Sequence, residues 1–307
     1  MFKENKFKII MILLLCMVVV SGFKVLSAHN NNLYKVSFLN VGQGDAIFMQ
    51  TPNKYQILID GGPDDSVLEE LRLVMPLGDK SIDLLLLSHA DADHLTGLVE
   101  VIQDYDIGGV IMPEFPKQSQ LYKAWIEVLT EYQIPVTMIK NEQLIKIDSR
   151  LEFHFLHPSL ETLYPKISVN NASLVFIATI GAVDFLFTGD IEEEVEEKLV
   201  EAYHPFEIEL LKAPHHGSKS SSSQDFLYWV EPEVVVIQSG AENKFGHPHN
   251  RVLHRYEQLS SQVFRNDLSG VLHFSFDETS INQLRYRSNS FPQLFGFELK
   301  TVYTTDD

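Results

Sequence analysis

Apolar and polar positions alternate with a period of two in LYKVSFLNV, AIFMQT and YQILIDGG, which fill most of 33–62. Such alternation predicts short strands, here joined by turns at 41–44 and 52–53. Residues 66–74 take helical spacing. SIDLLLLSH is apolar almost throughout, as expected of a strand buried on both faces, and it closes in a polar loop. LTGLVEVIQDY, at 95–105, predicts a helix. GVIMPE follows as a strand, 120–132 as a helix and PVTMIK as a strand.

The second half repeats the theme. LEFHFLHP, SLVFIATIG and DFLFTGD predict strands, 191–203 an acidic helix, and IELLKAPHHGS another buried strand ending in a polar loop. A helix at 226–230, the strand EVVVIQSG, a helix at 251–259 and the strands VLHFSF and INQLRYR complete the pattern. Strands outnumber helices, and helices are interspersed rather than strictly alternating. That predicts an α/β fold of two mixed sheets packed face to face, with helices outside and two roughly similar halves. No long linker divides 33–288, so one domain is expected there. The tail at 289–307 has four aromatics but no period.

The first 28 residues break the pattern. Lys3, Lys6 and Lys8 precede an uncharged apolar run over 9–20, and Gly22, Ser27 and Ala28 follow. This is the layout of a signal peptide or, if the apolar run extends through Phe23, of an N-terminal membrane anchor. The body is therefore expected to be extracytoplasmic, either secreted or anchored to the outer face of the cytoplasmic membrane. Membrane contact is expected only through this segment.

Cys16, the one cysteine, lies inside it, so the body has no disulfide and no thiolate to act as nucleophile or ligand. Any metal must be held by His, Asp and Glu. The chain carries 24 basic and 42 acidic residues; without 1–28 these become 20 and 41. Such a surface repels polyanions unless a local basic patch or bound cations intervene.

Chemistry concentrates where buried strands end. In SHADADHLTGL, His89, Asp91 and Asp93 alternate and share one face of an extended segment, and a following helix turns His94 in beside them. Convergence of such side chains is what offsets the cost of dehydrating a cation. Helix capping by Asp93 explains one aspartate, but not two histidines and a second aspartate. Asp190 ends FLFTGD, although Gly-Asp before a helix is also an ordinary cap.

His215 and His216 follow the buried strand of LLKAPHHGS, and His247 and His249 stand in FGHPH. His154 and His157, in or beside a strand, read as structural. GSKSSSS, at 217–223, reads either as a flexible linker or as a phosphate contact using hydroxyls, N–H groups, Ser218 and Lys219.

HADADH, TGD, PHHGS and FGHPH in this order, with VGQGDA at 41–46 and DGG at 60–62, resemble the metallo-β-lactamase superfamily. The branch is the one that includes the extracellular hydrolase domain of ComEC competence proteins, and the resemblance runs from about 36 to 275. It implies an αββα sandwich with a metal site at one edge between the sheets, and two divalent ions, Zn or Mn. It assigns His89 and Asp91 to one ion, Asp93 and His94 to the other, and Asp190 to a carboxylate bridging both.

The terminal ligand is implied to be His215 by similarity to secreted phosphorylcholine esterases, and His247 by similarity to the ribonuclease Z type. Of these His215 is the expected ligand, with His216 or His247 as proton donor or phosphate contact and Asp93 as the catalytic carboxylate. Asp60 is expected to orient the ligand loop. The family's isolated histidine before the bridging aspartate is missing, and Asn170 and Asn171 stand near its place. An oxygen-rich first position makes Mn competitive with Zn and binding there weaker.

The function so implied is an exported metal-dependent hydrolase, a phosphodiesterase using a hydroxide activated by two ions. Its substrate is a phosphate ester: a cell-envelope polymer, a small phosphodiester or DNA. The alternatives are a ComEC-like nuclease acting on extracellular DNA and, from a different class, a non-catalytic binding or scaffold protein that retains the fold. β-Lactam hydrolysis is not expected, because the ligand set departs from that branch. No protein partner is deducible.

Overall fold

The two alternating halves form two facing sheets in a computed structural model of the chain. It describes Met11, residues 33–158 and 167–277, and the backbone of strands at 281–286 and 298–300. The candidate leader, apart from Met11, and the tail, apart from its one strand, lie outside the described residues. Among these no helix is long and apolar enough to cross a membrane.

The first half runs β1 (Tyr34–Phe38), β2 (Ile47–Gln50), β3 (Gln56–Ile59), α1 (Ser66–Val74), β4 (Ser81–Ile82), β5 (Leu84–Leu86), α2 (Ala92–Asp104), β6 (Asp106–Ile107), β7 (Val110–Pro113), α3 (Gln120–Glu131) and β8 (Val136–Ile139). The second half runs β9 (Gln143–Lys146), β10 (Leu151–His157), β11 (Val175–Ile180), β12 (Val183–Phe187), α4 (Glu193–Ala202), β13 (Leu210–Lys212), α5 (Gln224–Val230), β14 (Val234–Ile237), α6 (Asn250–Gln258) and β15 (Gln262–Arg265). The short helix α7 (Asn266–Ser269) and the strands β16 (Leu272–Phe276), β17 (Ile281–Tyr286) and β18 (Glu298–Lys300) close the chain.

One sheet has the order β18-β17-β16-β1-β2-β3-β5-β7-β8, the other β15-β14-β13-β12-β11-β10-β9. Each is antiparallel along one part and parallel along the other: β3, β5, β7 and β8 in the first, β12 to β15 in the second. The alternating strands send Phe38, Ile57, Phe153, Phe176, Phe185 and Phe274 into the space between the sheets. Helices α1 to α3 cover the outer face of the first sheet through Leu71, Leu98 and Trp125. Helices α4 to α6 cover the second through Leu199, Phe226 and Tyr256. Parallel strands covered on both faces have no polar side, which is why β5 and β14 read as unbroken apolar runs. The result is the expected αββα sandwich.

Two expectations change. SIDLLLLSH is not one strand: the Asp83 carboxylate accepts the Gln56 backbone N–H at 2.7 Å, and β4 leaves to pair with β6 in a small separate ladder. The helix expected from 95 begins at Ala92, because Asp91 is extended (φ −85°, ψ 156°) and occupies the cap position. Asp93 and His94 therefore sit in its first turn. Strands β9 and β15 were not legible; both are sheet edges with polar or half-buried positions, where the apolar signal is diluted.

Candidate metal centre

The carboxyl ends of β3, β5, β12, β13 and β14 open onto one pocket, and each delivers polar side chains there. The loop after β5 is pinned first. Asp60, just past β3, accepts the Ser88 N–H at 2.7 Å and the Ser88 hydroxyl at 2.6 Å, and lies 2.9 Å from His94 Nδ1. With Nδ1–H donated to Asp60, His94 presents Nε2 to the pocket. His89 is held in the same sense, its Nδ1 3.0 Å from the Ser88 hydroxyl.

Glycines let the backbones come this close. A Cβ on Gly44 would lie 2.2 Å from the Asp93 carbonyl oxygen, and one on Gly97 would lie 1.9 Å from that of Gly61. The turns of VGQGDA and DGG thus clamp the helix that carries Asp93 and His94, with Gly61 N–H donating to the His94 carbonyl at 2.7 Å.

The second sheet supplies the opposing wall. Asp190 follows β12, and its N–H donates to Ser173 Oγ at 3.0 Å. After β13 the chain places His215 (φ 48°), His216 (φ 54°) and Gly217 (φ 77°) in the left-handed region. Non-glycine residues rarely adopt it, at a cost of about 1–3 kcal/mol each. The strained turn sends the two rings in different directions. His216 is buried, with Nδ1 2.9 Å from the Gln238 carbonyl oxygen and Nε2 3.1 Å from Asp190 Oδ2 and 3.4 Å from Asp93 Oδ2. His215 stays at the rim, Nε2 3.8 Å from Asp190 Oδ2 and Nδ1 3.6 Å from Glu192 Oε1.

Donor atoms of Asp93, His94, Asp190 and His216 all lie within 4.8 Å of one another. Nε2 of His89, His94 and His216 and Oδ1 of Asp190 are buried without a hydrogen-bond partner. Three imidazoles tied by Nδ1, each with a bare Nε2 among carboxylates, are the donor set a divalent cation needs.

Electrostatics agree. Burial alone lowers the pKa of His94 and His216, yet Asp190 with Asp60, and Asp190 with Asp45, outweigh it and raise both well above the ordinary value. Burial would raise that of Asp190, but His216, His94 and Lys212 push it well below. The carboxylates create a demand for positive charge at this point that protons or a cation can meet.

Two buried participants went unrecognised in the sequence. Lys212, at the end of β13, forms an ion pair with Asp45, donates to the Gly189 carbonyl at 3.0 Å and lies 3.6 Å from Asp190 Oδ1. Asp45 Oδ1 in turn lies 3.2 Å from His216 Nδ1. Their signal was a lysine ending an apolar strand, which reads equally well as a surface residue.

The remaining sequence candidates divide. Asp91 Oδ2 lies 3.9 Å from His89 Nε2, while its Oδ1 pairs with Lys117. His247 is near but not within the cluster, its ring 5.6 Å from that of His215 and 6.2 Å from that of His216. Burial and those two imidazoles hold the His247 pKa down to about 4. Asn170, near the place of the missing histidine, has its amide 3.4 Å from His215 Nε2.

His157 is buried with Nε2 2.8 Å from the Asn171 carbonyl oxygen, and His154 lies 2.8 Å from Glu142, both away from the pocket. GSKSSSS is an ordered turn rather than a linker. Glu196 accepts the N–H groups of Ser222 and Ser223 at 2.5 and 2.7 Å, Ser222 meets the Tyr256 hydroxyl at 2.7 Å, and Ser218 meets Ser220 at 3.0 Å. Lys219 is left exposed.

A family model described as Metallo-beta-lactamase superfamily matches residues 39–240. The chain belongs to this superfamily, whose members are usually metal-dependent hydrolases. Similar curated proteins include "ComE operon protein 3" of Bacillus subtilis, 27% identical over 259 residues, covering 79% of this chain and 33% of that protein. "Competence protein ComA" of Neisseria gonorrhoeae is 29% identical over 257 residues, covering 83% of this chain and 34% of its own. The chain spans about a third of the length of these relatives. Among solved structures, the metallo-beta-lactamase fold protein YhfI from Bacillus subtilis superposes with a TM-score of 0.51 at 13% identity, over 80% of this chain and all of that one, a likeness of fold alone.

Proposed function

We propose that this chain is a metal-dependent phosphodiesterase, exported or anchored outside the cytoplasmic membrane, whose substrate is a nucleic-acid strand. The observation that carries the hydrolytic reading is the set of bare Nε2 atoms on His89, His94 and His216, the first facing Asp91 and the other two Asp190. Asp93, His94, Asp190 and His216 would hold one divalent ion, and His89 and Asp91, sharing Asp190, a second. His216 thus takes the ligand role that sequence alone favoured for His215. Zn and Mn both suit a set of imidazoles and carboxylates. Bound there, such ions lower the pKa of water and neutralise charge on phosphoryl oxygens.

The chain's own groups do the rest. Asp60 and the Gln238 carbonyl keep His94 and His216 in one tautomer. Lys212 neutralises Asp45 and lies against Asp190, so the carboxylate keeps its charge and orientation. His247, neutral near pH 7, orients a phosphoryl oxygen through a ring N–H rather than giving up a proton.

Support for a polyanionic substrate comes from two lysines. Lys219 follows Ser218 directly and Lys244 lies over the ring of Phe245, which itself stacks on His247; both ammonium groups are exposed on a chain of net charge −18. One relative is named a competence protein, which is our reason for setting nucleic acid ahead of an envelope polymer. Export rests on the basic and then apolar N-terminus.

The test is metal analysis of the purified full chain. Hydrolysis of bis-p-nitrophenyl phosphate, DNA and a phosphorylcholine ester is then measured with Mn²⁺ or Zn²⁺. Bound metal with turnover of the diester and DNA is expected. A protein that binds no metal and turns over none of the three sinks the proposal.

A further inference from the structure

The loop after β14 carries a feature the metal centre does not use. Its base is fastened to the first sheet: Gln238 Nε2 donates to the carbonyls of Leu39 and Ala46, each at 3.0 Å, and Gly240 N–H to Gln43 Oε1 at 3.2 Å. Asn243 then ties the loop from within. Its amide donates to the carbonyls of Gly240 at 2.8 Å and His247 at 2.6 Å, and its oxygen accepts the N–H groups of Phe245 at 3.2 Å and His247 at 2.9 Å. This side-chain closure of a turn makes the loop rigid.

What the rigid loop displays is Phe245, with 58% of its surface in water. The ring stacks on His247 at 5.7 Å between centroids and 24° between planes, and the exposed Lys244 ammonium lies over it, 5.3 Å from its centroid. One further ring-to-ring step of 6.2 Å leads from His247 to His216 in the metal-binding cluster.

One exposed phenylalanine on a surface is ordinary. An aromatic plane fixed by an internally tied loop, extended by the imidazole that borders the cluster and accompanied by a cation, is a more specific arrangement. A flat apolar face beside a positive charge matches a ligand that joins a flat ring to an anion. A choline-type head group would bring a second cation against Lys244 and is disfavoured. A sugar or polyol would need hydroxyl partners that phenylalanine does not offer.

Resting on the phosphodiesterase reading, we infer that Phe245, backed by His247 and flanked by Lys244, is a base-stacking subsite that seats an unpaired nucleobase next to the scissile phosphate. Stacking onto an aromatic ring tolerates every base, because each has a π-face, so the subsite selects strand state rather than sequence. Bases inside a duplex are already stacked on their neighbours. The subsite therefore favours single strands and frayed ends.

The experiment compares a single-stranded oligonucleotide with one of the same length bearing abasic residues, using the full chain and Mn²⁺. Wild type is expected to cleave the base-bearing strand on the order of tenfold faster. Phe245→Ala brings that ratio to about one, and Phe245→Tyr retains the preference. In a second readout without metal, the fluorescence of Phe245→Trp is quenched by the base-bearing strand and not by the abasic one. Cleavage of both strands at equal rates by wild type overturns the subsite and leaves the phosphodiesterase standing. Cleavage of neither removes the nucleic-acid substrate, and the subsite with it, even where bis-p-nitrophenyl phosphate is turned over.

Discussion

The two flanks of the pocket are furnished unequally. On one, Asp93, His94, Asp190 and His216 bring their donor atoms within 4.8 Å, and three of the four have a further partner behind them. Asp60 backs His94, the Gln238 carbonyl backs His216, and Ser173 with Lys212 backs Asp190. On the other, the Ser88 hydroxyl backs His89, but Asp91 stands 3.9 Å from it and is drawn to Lys117, and an asparagine lies near the place of the third histidine. One continuous motif, HADADH, serves both flanks. What separates them is the carboxylate: Asp190 is buried against Lys212, whereas Asp91 is partly exposed and held by Lys117, and preorganised ligands bind a cation without the entropy and desolvation that loose ones incur. The chain should fill the first position tightly and the second weakly.

The sharpest way to break this contrast is to remove a ligand from the furnished flank. His216→Ala should abolish the tight ion, measured by metal analysis after dialysis, and lower diester hydrolysis on the order of a thousandfold. His215→Ala should leave the tight ion in place and cost roughly tenfold. The reverse ranking would restore His215 as the ligand and undo the asymmetry.

Next in size is Lys212→Met. It strips the ammonium from two buried carboxylates, Asp45 and Asp190, and unpaired buried charge costs about 3–5 kcal/mol. Urea denaturation should show that loss in metal-free protein, with partial recovery in the double variant that also carries Asp45→Asn. A loss under about 1 kcal/mol would mean that the furnished flank does not depend on this lysine.

The turn that carries His216 gives a pH test. Burial raises the Glu196 pKa to about 7 against the N–H groups of Ser223 and Ser222, which favour the carboxylate, while Glu193 raises it further. Between the ordinary value of 4.5 and about 7 the folded state holds a proton that the unfolded state has released. This group's contribution is therefore complete below about pH 4.5 and is lost as pH rises through 7, by up to about 3 kcal/mol. Glu196→Gln removes that slope. The difference between wild type and variant, in urea denaturation at pH 5 and pH 8, isolates it from the oppositely signed contribution of Asp190. Identical slopes would mean that Glu196 keeps an ordinary pKa.

Legibility in the sequence followed burial. Buried parallel strands and the polar loops that end them, such as LLLLSH and LLKAPHHGS, announce themselves because apolar runs stop abruptly at hydrated residues. The edge strands β9 and β15 did not, since half-solvated positions carry little apolar signal. Within the site, the convergence of His89, Asp93, His94 and Asp190 could be anticipated from where strands end. Which of His215 and His216 is buried against Asp190 could not. It hangs on two consecutive left-handed residues, and adjacent identical side chains carry no mark of which one the turn will bury. Lys212 and Asp45 were hidden for a related reason: a buried ion pair between distant segments is invisible until both are placed.

The smallest expected effect sharpens the contrast from its weak side. Lys117 and Asp91 form an ion pair with both side chains partly exposed, at 28% and 31%, and such pairs contribute roughly 0–1 kcal/mol. That pairing competes with any cation for the Asp91 carboxylate. Lys117→Met should therefore tighten the second, weaker Mn²⁺ by up to about fivefold in a calorimetric titration, leaving the first unchanged. If the second affinity falls instead, Lys117 holds Asp91 in a productive position. The weakness of that flank would then lie in the missing histidine alone.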